Sequence, residues 1–352
     1  MSVPKLRFKE FDGDWLKLKY KDVLTIRYGK DHKSLNDGDI PVYGTGGLMR
    51  HVNKYLYDGE SILIGRKGTI DKPKYINEKF WTVDTLFYTE IEESIVPLFL
   101  YQHALEVNWL GLNEATGVPS LNTTSIYNID ISIPSKEEQT KIASFLSAVD
   151  EKISQLTKKH ELLSQYKQGM MQKLFSQQIR FKADDGSEFG EWDQLKFKDV
   201  IKIKYGKDHK KLDDGDIPVL GTGGVMRYVD SYLYEGESIL IGRKGTIDKP
   251  RFISGKFWTV DTLFYTEIGE KILPKFAFQQ LLLVNWLNLN EATGVPSLNT
   301  TSIGNIELKV PCLAEQTKIA NVLSAIDQKI EVVSKQIEQA KTWKKGLLQQ
   351  MF

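Results

Sequence analysis

Two glycine-flanked Arg-Lys pairs carry the most suggestive chemistry in this chain. The stretch ESILIGRKGTIDKP occupies residues 60–73 and returns unaltered at 237–250. Glycine lets a backbone approach a phosphate closely, and arginine and lysine suit phosphate oxygens and guanine. Arg66, Lys67, Thr69 and Lys72 therefore read as a nucleic-acid loop, with Arg243, Lys244, Thr246 and Lys249 as its second copy. Three further segments are duplicated in the same way. RYGKDHK (27–33) and KYGKDHK (204–210) contribute Lys30, His32 and Lys33, and Lys207, His209 and Lys210. GTGGLMR (44–50) and its counterpart contribute Thr45 and Arg50, and Thr222 and Arg227. NEATGVPSLNTTSI (113–126) contributes Asn113, Ser120 and Asn122, matched by Asn290, Ser297 and Asn299. Asparagine can read adenine, and serine or threonine serves either role. Taken singly, each segment is an ordinary solvated turn. Four of them kept in both halves point to nucleic acid.

Other chemistries fit less well. His32 and His209 could ligate a metal or act as bases, but no Cys, His or Glu stands at ligand spacing. Asp84 and Asp261 could be catalytic; an aspartate in a turn or at a strand end is the simpler reading. Trp81 and Trp258 read as core before base-stacking platforms. GTGG lacks the following helix and distant acid of a dinucleotide site. No phosphate-binding P-loop, zinc pattern, nucleophile elbow or methyltransferase tetrapeptide is present. No cofactor is expected in the chain itself.

The elements that must position these loops are also written twice. From Trp15, paired with Trp192, to Phe175, paired with Phe352, the two halves align at a constant offset of 177 residues. Identity is uneven: residues 92–107 match 269–284 at seven of sixteen positions, whereas the candidate loops match almost throughout. A recent duplication would leave identity everywhere, so one shared binding specificity held in both copies is the better reading. SILIG, FWTVDTLFYTEI and NIDISIP read as strands, and residues 96–110 have helical length and spacing.

After residue 134 the period changes. Residues 135–175 contain no proline and one glycine, and Ser135 with Glu138 resembles a capping box. Ile142, Leu146, Val149, Ile153, Leu156, His160, Leu163, Lys167, Met170 and Leu174 alternate in steps of four and three, as do their counterparts from Ile319 to Met351. That is a coiled-coil seam, about 60 Å long, more than one small domain can cover. The expected layout is globule 1–134, helix 135–176, linker and globule 177–311, and helix 312–352. The fold class is α+β: two tandem mixed α/β domains separated by long antiparallel coiled-coil helices, a dumbbell with internal pseudo-two-fold symmetry.

Bulk composition sets bounds. The 47 basic and 46 acidic residues leave a net charge of only +1, too little to attract an anion, so any nucleic-acid surface must be local. The single Cys312 excludes an internal disulfide, no signal peptide opens the chain, and the most apolar run is too short for a bilayer. A cytoplasmic protein is expected.

The segments EEQTKIASFLSAVDEKI and AEQTKIANVLSAIDQKI, each following a variable globule, resemble the specificity subunit of type I restriction–modification systems. The signature residues stand here as Glu138-Gln139, Ile142-Ala143 and Asp150–Ile153, and as Glu315-Gln316, Ile319-Ala320 and Asp327–Ile330. The resemblance implies that the globules are target recognition domains and the helices spacers. It implies a non-catalytic subunit that binds double-stranded DNA. It further implies recruitment of two methyltransferase subunits holding S-adenosylmethionine, and of restriction–translocase subunits using ATP and magnesium. Gln139, Lys141 and Ser144 would lie on an outward docking surface. One departure is informative: the two recognition domains usually differ, and here they nearly match, so a bipartite target of inverted half-sites is expected. The rival readings are a stand-alone DNA-modifying enzyme with duplicated domains, and a coiled-coil scaffold with a non-DNA ligand.

Overall fold

The computed structural model describes residues 4–352. The chain divides into two compact units that do not follow chain order: Met1–Lys158 with Ser334–Phe352, and Lys159–Val333. Each unit therefore holds one globule and a segment of both long helices.

In the first half of the chain the elements run β1 (Leu16–Lys19), β2 (Leu24–Tyr28), β3 (Ile40–Gly44), β4 (Gly47–Val52), β5 (Tyr57–Gly65), β6 (Lys74–Thr82), β7 (Leu86–Ile91), α1 (Pro97–Ala104), α2 (Thr123–Tyr127), β8 (Asp130–Ile133) and α3 (Lys136–Phe175). The second half repeats them as β9 (Asp193–Lys196), α4 (Phe197–Val200), β10 (Ile201–Tyr205), β11 (Ile217–Gly221), β12 (Gly224–Val229), β13 (Tyr234–Gly242), β14 (Arg251–Thr259), β15 (Leu263–Ile268), α5 (Pro274–Leu281), α6 (Thr300–Gly304), β16 (Glu307–Val310) and α7 (Leu313–Met351). The six-stranded sheets have the orders β2-β7-β5-β6-β3-β4 and β10-β15-β13-β14-β11-β12. Every pairing in them is antiparallel except β3 with β6 and β11 with β14.

SILIG forms the inner half of β5 and is wholly buried. Its polar member is paired within the sheet. Ser61 Oγ donates to the Thr89 carbonyl and accepts from the Thr89 amide, at 2.8 and 2.9 Å. The stretch FWTVDTLFYTEI is not one strand. It ends β6, turns at Val83–Thr85 and continues as β7. The helix expected over 96–110 is also shorter: α1 stops at Ala104, and a 3-10 turn spans Trp109–Leu112. Asn108 causes the break, because its side chain accepts from the Gly111 amide and offers the backbone an alternative to helix.

The long helices bury the anticipated seam. Ile142, Leu146, Val149, Leu156 and Leu174 are buried on α3, and Ile319, Leu323, Ile326, Val333, Ile337, Leu347 and Met351 on α7. Within each unit the two helical segments run in opposite directions. In the first, Asp150 pairs with Lys344 at 2.7 Å, while Phe352 packs on Phe99 of α1. In the second, Lys167 meets Asp327 at 2.6 Å and Phe175 packs on Phe276 of α5. These pairs explain the two lysines in the seam: Lys167 and Lys344 are each 12% exposed and need a carboxylate. Gln102 and Gln279 donate to the same aspartates, at 3.0 and 2.7 Å.

The helix starts depart from expectation. Ser135 Oγ accepts from the Glu138 amide at 3.3 Å, half of a capping box. The Glu138 carboxylate does not complete it; it takes a two-pronged contact from Arg7, both bonds 2.7 Å. The matching Glu315 binds Arg180 at 3.1 and 2.8 Å and accepts from Trp192 Nε1 at 3.0 Å. Arg180 lies 173 residues after Arg7, so the ungapped offset of 177 begins only at Trp15. Gln139 is not on an outward surface. It is buried, accepts from the Val96 amide at 2.8 Å, and donates to the carbonyls of Pro134 and Ser94. Gln316 repeats this on Leu273, Pro311 and Lys271. The Glu-Gln dipeptide thus fastens each helix to its globule.

Candidate nucleic-acid interface

The candidate loops of each globule meet at one end of its six-stranded sheet. The Arg66 and Lys67 amides donate to the Thr85 carbonyl at 2.8 and 3.1 Å. The Gly68 amide donates to Pro119, the Leu121 amide donates to Arg66, and Lys67 forms a β-bridge with Ser120. Gly68 also faces the Thr45 hydroxyl of the β3–β4 hairpin. The Lys30 amide donates to the Thr82 carbonyl at 2.8 Å, and Trp81 Nε1 donates to the Lys30 carbonyl at 2.9 Å. Backbone bonds thus join the Arg-Lys and Asn-Thr loops to each other and tie the Arg-Lys and Lys30 loops to the β6–β7 connection, with Thr45 beside Gly68. The second globule repeats these links on Arg243, Lys244, Gly245, Lys207 and Trp258. Trp81 and Trp258 are half-buried and hold a loop in place.

Two glycines make the crowding possible. A Cβ at Gly29 would lie 2.0 Å from the Val83 carbonyl oxygen, and one at Gly65 would lie 2.0 Å from that of Thr69. No side chain fits at either place, which is why both turns are kept in both copies.

The structure gives the candidate side chains different positions. Lys30, Lys33, Lys67 and Lys72 are exposed, as are Lys207, Lys210, Lys244 and Lys249. Arg66 lies over the Tyr28 ring at 5.4 Å and donates to the Asp84 carbonyl at 3.0 Å. Arg243 does the same with Tyr205 and Asp261. The guanidinium is thus held over an aromatic ring. Thr69 and Ser120 are half-exposed beside it; in the second copy Ser297 is half-exposed and Thr246 exposed.

Other candidates are engaged inside the protein. Arg50 donates to Asp37 at 2.7 Å and to the Leu35 carbonyl at 3.1 Å; Arg227 repeats this with Asp214 and Leu212. Asn113 accepts from the Ala115 and Ser120 amides and closes the Gly-Val-Pro loop, as Asn290 does from Ala292 and Ser297. Asn122 caps α2 by accepting from Ser125 at 2.7 Å while its amide donates to Glu114; Asn299 caps α6 and donates to Glu291. Hydrogen bonds from Ser302, then Asn299, hold Glu291 below the usual carboxylate range. His32 and His209 are half-buried, and their Nδ1 atoms have no protein partner among the described residues. Among those residues no cluster of His, Cys, Asp or Glu could hold a metal.

The second globule opens here into a cleft of about 900 Å³, bordered by His209, Lys210, Thr222, Met226 and Asp261. Its floor is partly apolar, and that was not foreseen. Leu48 and Met49 are each 56% exposed and Val118 is 68% exposed, with Val225, Met226 and Val295 matching them. The signal was present: an apolar pair just after GTGG, and a valine between glycine and proline, serve no sheet face. Tyr28 and Tyr205, within the basic segments, supply the rings that Arg66 and Arg243 lie over. The assembled surface offers cations, hydroxyls and apolar side chains side by side, the set needed for phosphates, base edges and thymine methyl groups.

Comparison with known proteins identifies the family. The family model "Type I restriction modification DNA specificity domain" matches residues 12–164 and again 190–342. The chain is 27% identical over 345 residues to the type I restriction enzyme MjaVIII specificity subunit of Methanocaldococcus jannaschii, covering 83% of this chain and 76% of that protein. It is 20% identical to the EcoDI specificity subunit of Escherichia coli, over 93% of this chain and 84% of the relative. The crystal structure of a type I restriction–modification S subunit from M. genitalium superposes with a TM-score of 0.75 at 18% identity, covering 100% of this chain and 99% of that one. The chain belongs to the type I restriction–modification specificity subunits: a non-catalytic DNA-specificity protein carrying the family's recognition domain twice.

Proposed function

We propose that the chain reads a bipartite, near-palindromic DNA target and recruits two methyltransferase subunits. The observation that carries this is the duplication of the reading surface. Arg66, Lys67, Lys30, Ser120 and their partners recur in the second globule with the same hydrogen bonds and stacking. Equal readers select equal bases, and duplex DNA presents equal sites in inverted order about its local two-fold axes. The two half-sites are then the same few bases, inverted around an unread gap. Lys30, Lys33, Lys67, Lys72 and their counterparts position the phosphates. Arg66, Thr69, Ser120, Arg243, Thr246 and Ser297 face base edges, and His32 and His209 contact DNA beside them. Thr45 and Thr222 sit at the hairpin tips. Arg50, Asn113, Asn122, Arg227, Asn290 and Asn299 act by holding the loops.

The paired helices set the gap and carry the partners. Chemistry resides in those partners: S-adenosylmethionine in the methyltransferases, and ATP with magnesium in restriction subunits where these join. Methylome sequencing of a host carrying this gene together with its methyltransferase tests the reading. Two inverted copies of one half-site are expected. A seven-residue deletion in α3 should shorten the gap and leave the half-site bases alone. Unrelated left and right halves would overturn the equal-reader argument, and altered bases at constant gap would overturn the ruler.

A further inference from the structure

The two globules differ at one built feature beside the reading loops. In the first, β2 is the sheet's outer strand, and Tyr127 at the end of α2 reaches over it: the Ile26 amide donates to the Tyr127 hydroxyl at 2.9 Å. In the second globule the outer strand is β10, with Ile203 opposite Thr266 as Ile26 is opposite Thr89. Thr266, like Thr89, turns its own amide and carbonyl inward to a serine of the next strand. Ile203 consequently points its amide outward, as Ile26 does. The residue standing in place of Tyr127 is Gly304, which has no side chain to accept it.

What surrounds that amide has changed as well. A cleft of about 430 Å³ opens there, lined by Lys198, Lys202, Ile203, Lys204, Thr300 and Gly304. Thr25 of the first globule is replaced by Lys202, and Arg27 by Lys204. Lys204 shares its charge with Glu267 at 3.3 Å, whereas Lys198 and Lys202 are exposed. The stem of Lys198 runs 3.4 Å from where a Cβ at position 304 would be. The first globule thus supplies a neutral oxygen to its outward amide. The second leaves the amide open inside a cationic wall.

We propose that this cleft is an oxyanion site of the second globule alone, and that its occupant is a DNA backbone phosphate flanking the bases that this globule reads. Three observations fit a phosphate: an outward amide, two lysines that form no ion pair among the described residues although Lys202 stands opposite Glu267, and room for a tetrahedral group. The position fits DNA. Ile203 lies two residues along β10 from Tyr205, on the same face as this ring over which Arg243 lies, a separation of about 7 Å at strand rise. The phosphate therefore belongs just outside the second half-site. Two readers that select the same bases would then grip their flanks unequally.

The proposal rests on the reading that this chain binds DNA, and its test separates the two. The full-length chain, labelled with ¹⁵N, is titrated with inorganic phosphate while the Ile203 and Ile26 amides are followed. Ile203 is expected to shift saturably and Ile26 to stay still; no shift at Ile203 overturns the site. Binding to a duplex carrying the chain's own target is then measured across a salt series. Gly304→Tyr, which installs the first globule's phenol, and the double variant Lys198→Ala/Lys202→Ala are each expected to flatten the slope of log K against log salt by about 0.9, the value for one lost phosphate contact. The double variant decides the matter if Gly304→Tyr folds poorly. An Ile203 shift with an unchanged slope means an adventitious ion only, and sinks the assignment to DNA. Absence of any target binding by the wild-type chain refutes the parent reading instead.

Discussion

Acid should loosen the first unit more than the second, because burial lowers the pKa of a histidine in the first, His103. His103 on α1 lies against Tyr20, whose hydroxyl is 2.9 Å from Nδ1, and against the Phe352 ring at 5.5 Å. Burial pushes its pKa down from the ordinary 6.5 to about 4. In the second unit the equivalent pair is Phe197 and Gln280, and Gln280 donates to the Lys309 carbonyl at 3.1 Å. A histidine depressed in the folded state takes its proton more readily when unfolded. The neutral ring's contribution is complete above pH 6.5 and is lost as pH falls toward 4. With these two pKa values, acidification from pH 7.5 to 5 should remove about 2 kcal/mol from the first unit. Hydrogen exchange of the full chain, corrected for intrinsic rates, measures this at peptides 97–104 and 274–281. The first should lose protection by about 30-fold relative to the second, the same energy expressed as an opening constant. His103→Gln should abolish the difference, since it supplies the second unit's neutral amide. Equal loss in both peptides, or an undiminished loss in the variant, would refute the argument from burial.

Arg7→Met leaves the Glu138 carboxylate, 1% exposed, without its cation; unfolding of the first unit should become easier by about 3–5 kcal/mol in denaturant titration, and Arg7→Met with Glu138→Leu should recover most of it. Gly65→Ala places a methyl group 2.0 Å from a backbone oxygen and should cost more than about 2 kcal/mol, visible as a lowered thermal midpoint. Lys67→Ala should weaken binding to every duplex alike and lower the salt slope by about 0.9, whereas Arg66→Ala should cost about 1–3 kcal/mol and relax one base; anisotropy with single-mismatch duplexes distinguishes them.

Much of the organisation was legible in the letters. The duplication, the switch from short strands to a heptad seam at residue 135, and the four basic or amide-rich loops all depend on local pattern. Hydrophobic period and glycine placement report that directly. The Glu-Gln dipeptide is legible as a signature, but of its two members Gln139 reads as surface and is buried. Gln139 is polar, but three backbone groups near the helix start need it, and nothing in sequence spacing tells which backbone groups will be left without partners.

The amino-acid sequence by itself determined that one domain is present twice, with like residues in like places and helices too long for either copy alone. Tertiary structure alone decided which polar side chains face outward. Lys67 and Asn113 look equally available in the chain, yet the asparagine is used up closing its own loop while the lysine projects. It also decided that Gly304, an unremarkable substitution in the text of the repeat, uncovers a strand amide among lysines. Hydrogen-bond satisfaction is a property of neighbours distant in the chain, so only the folded arrangement shows which donors are spent and which remain to bind.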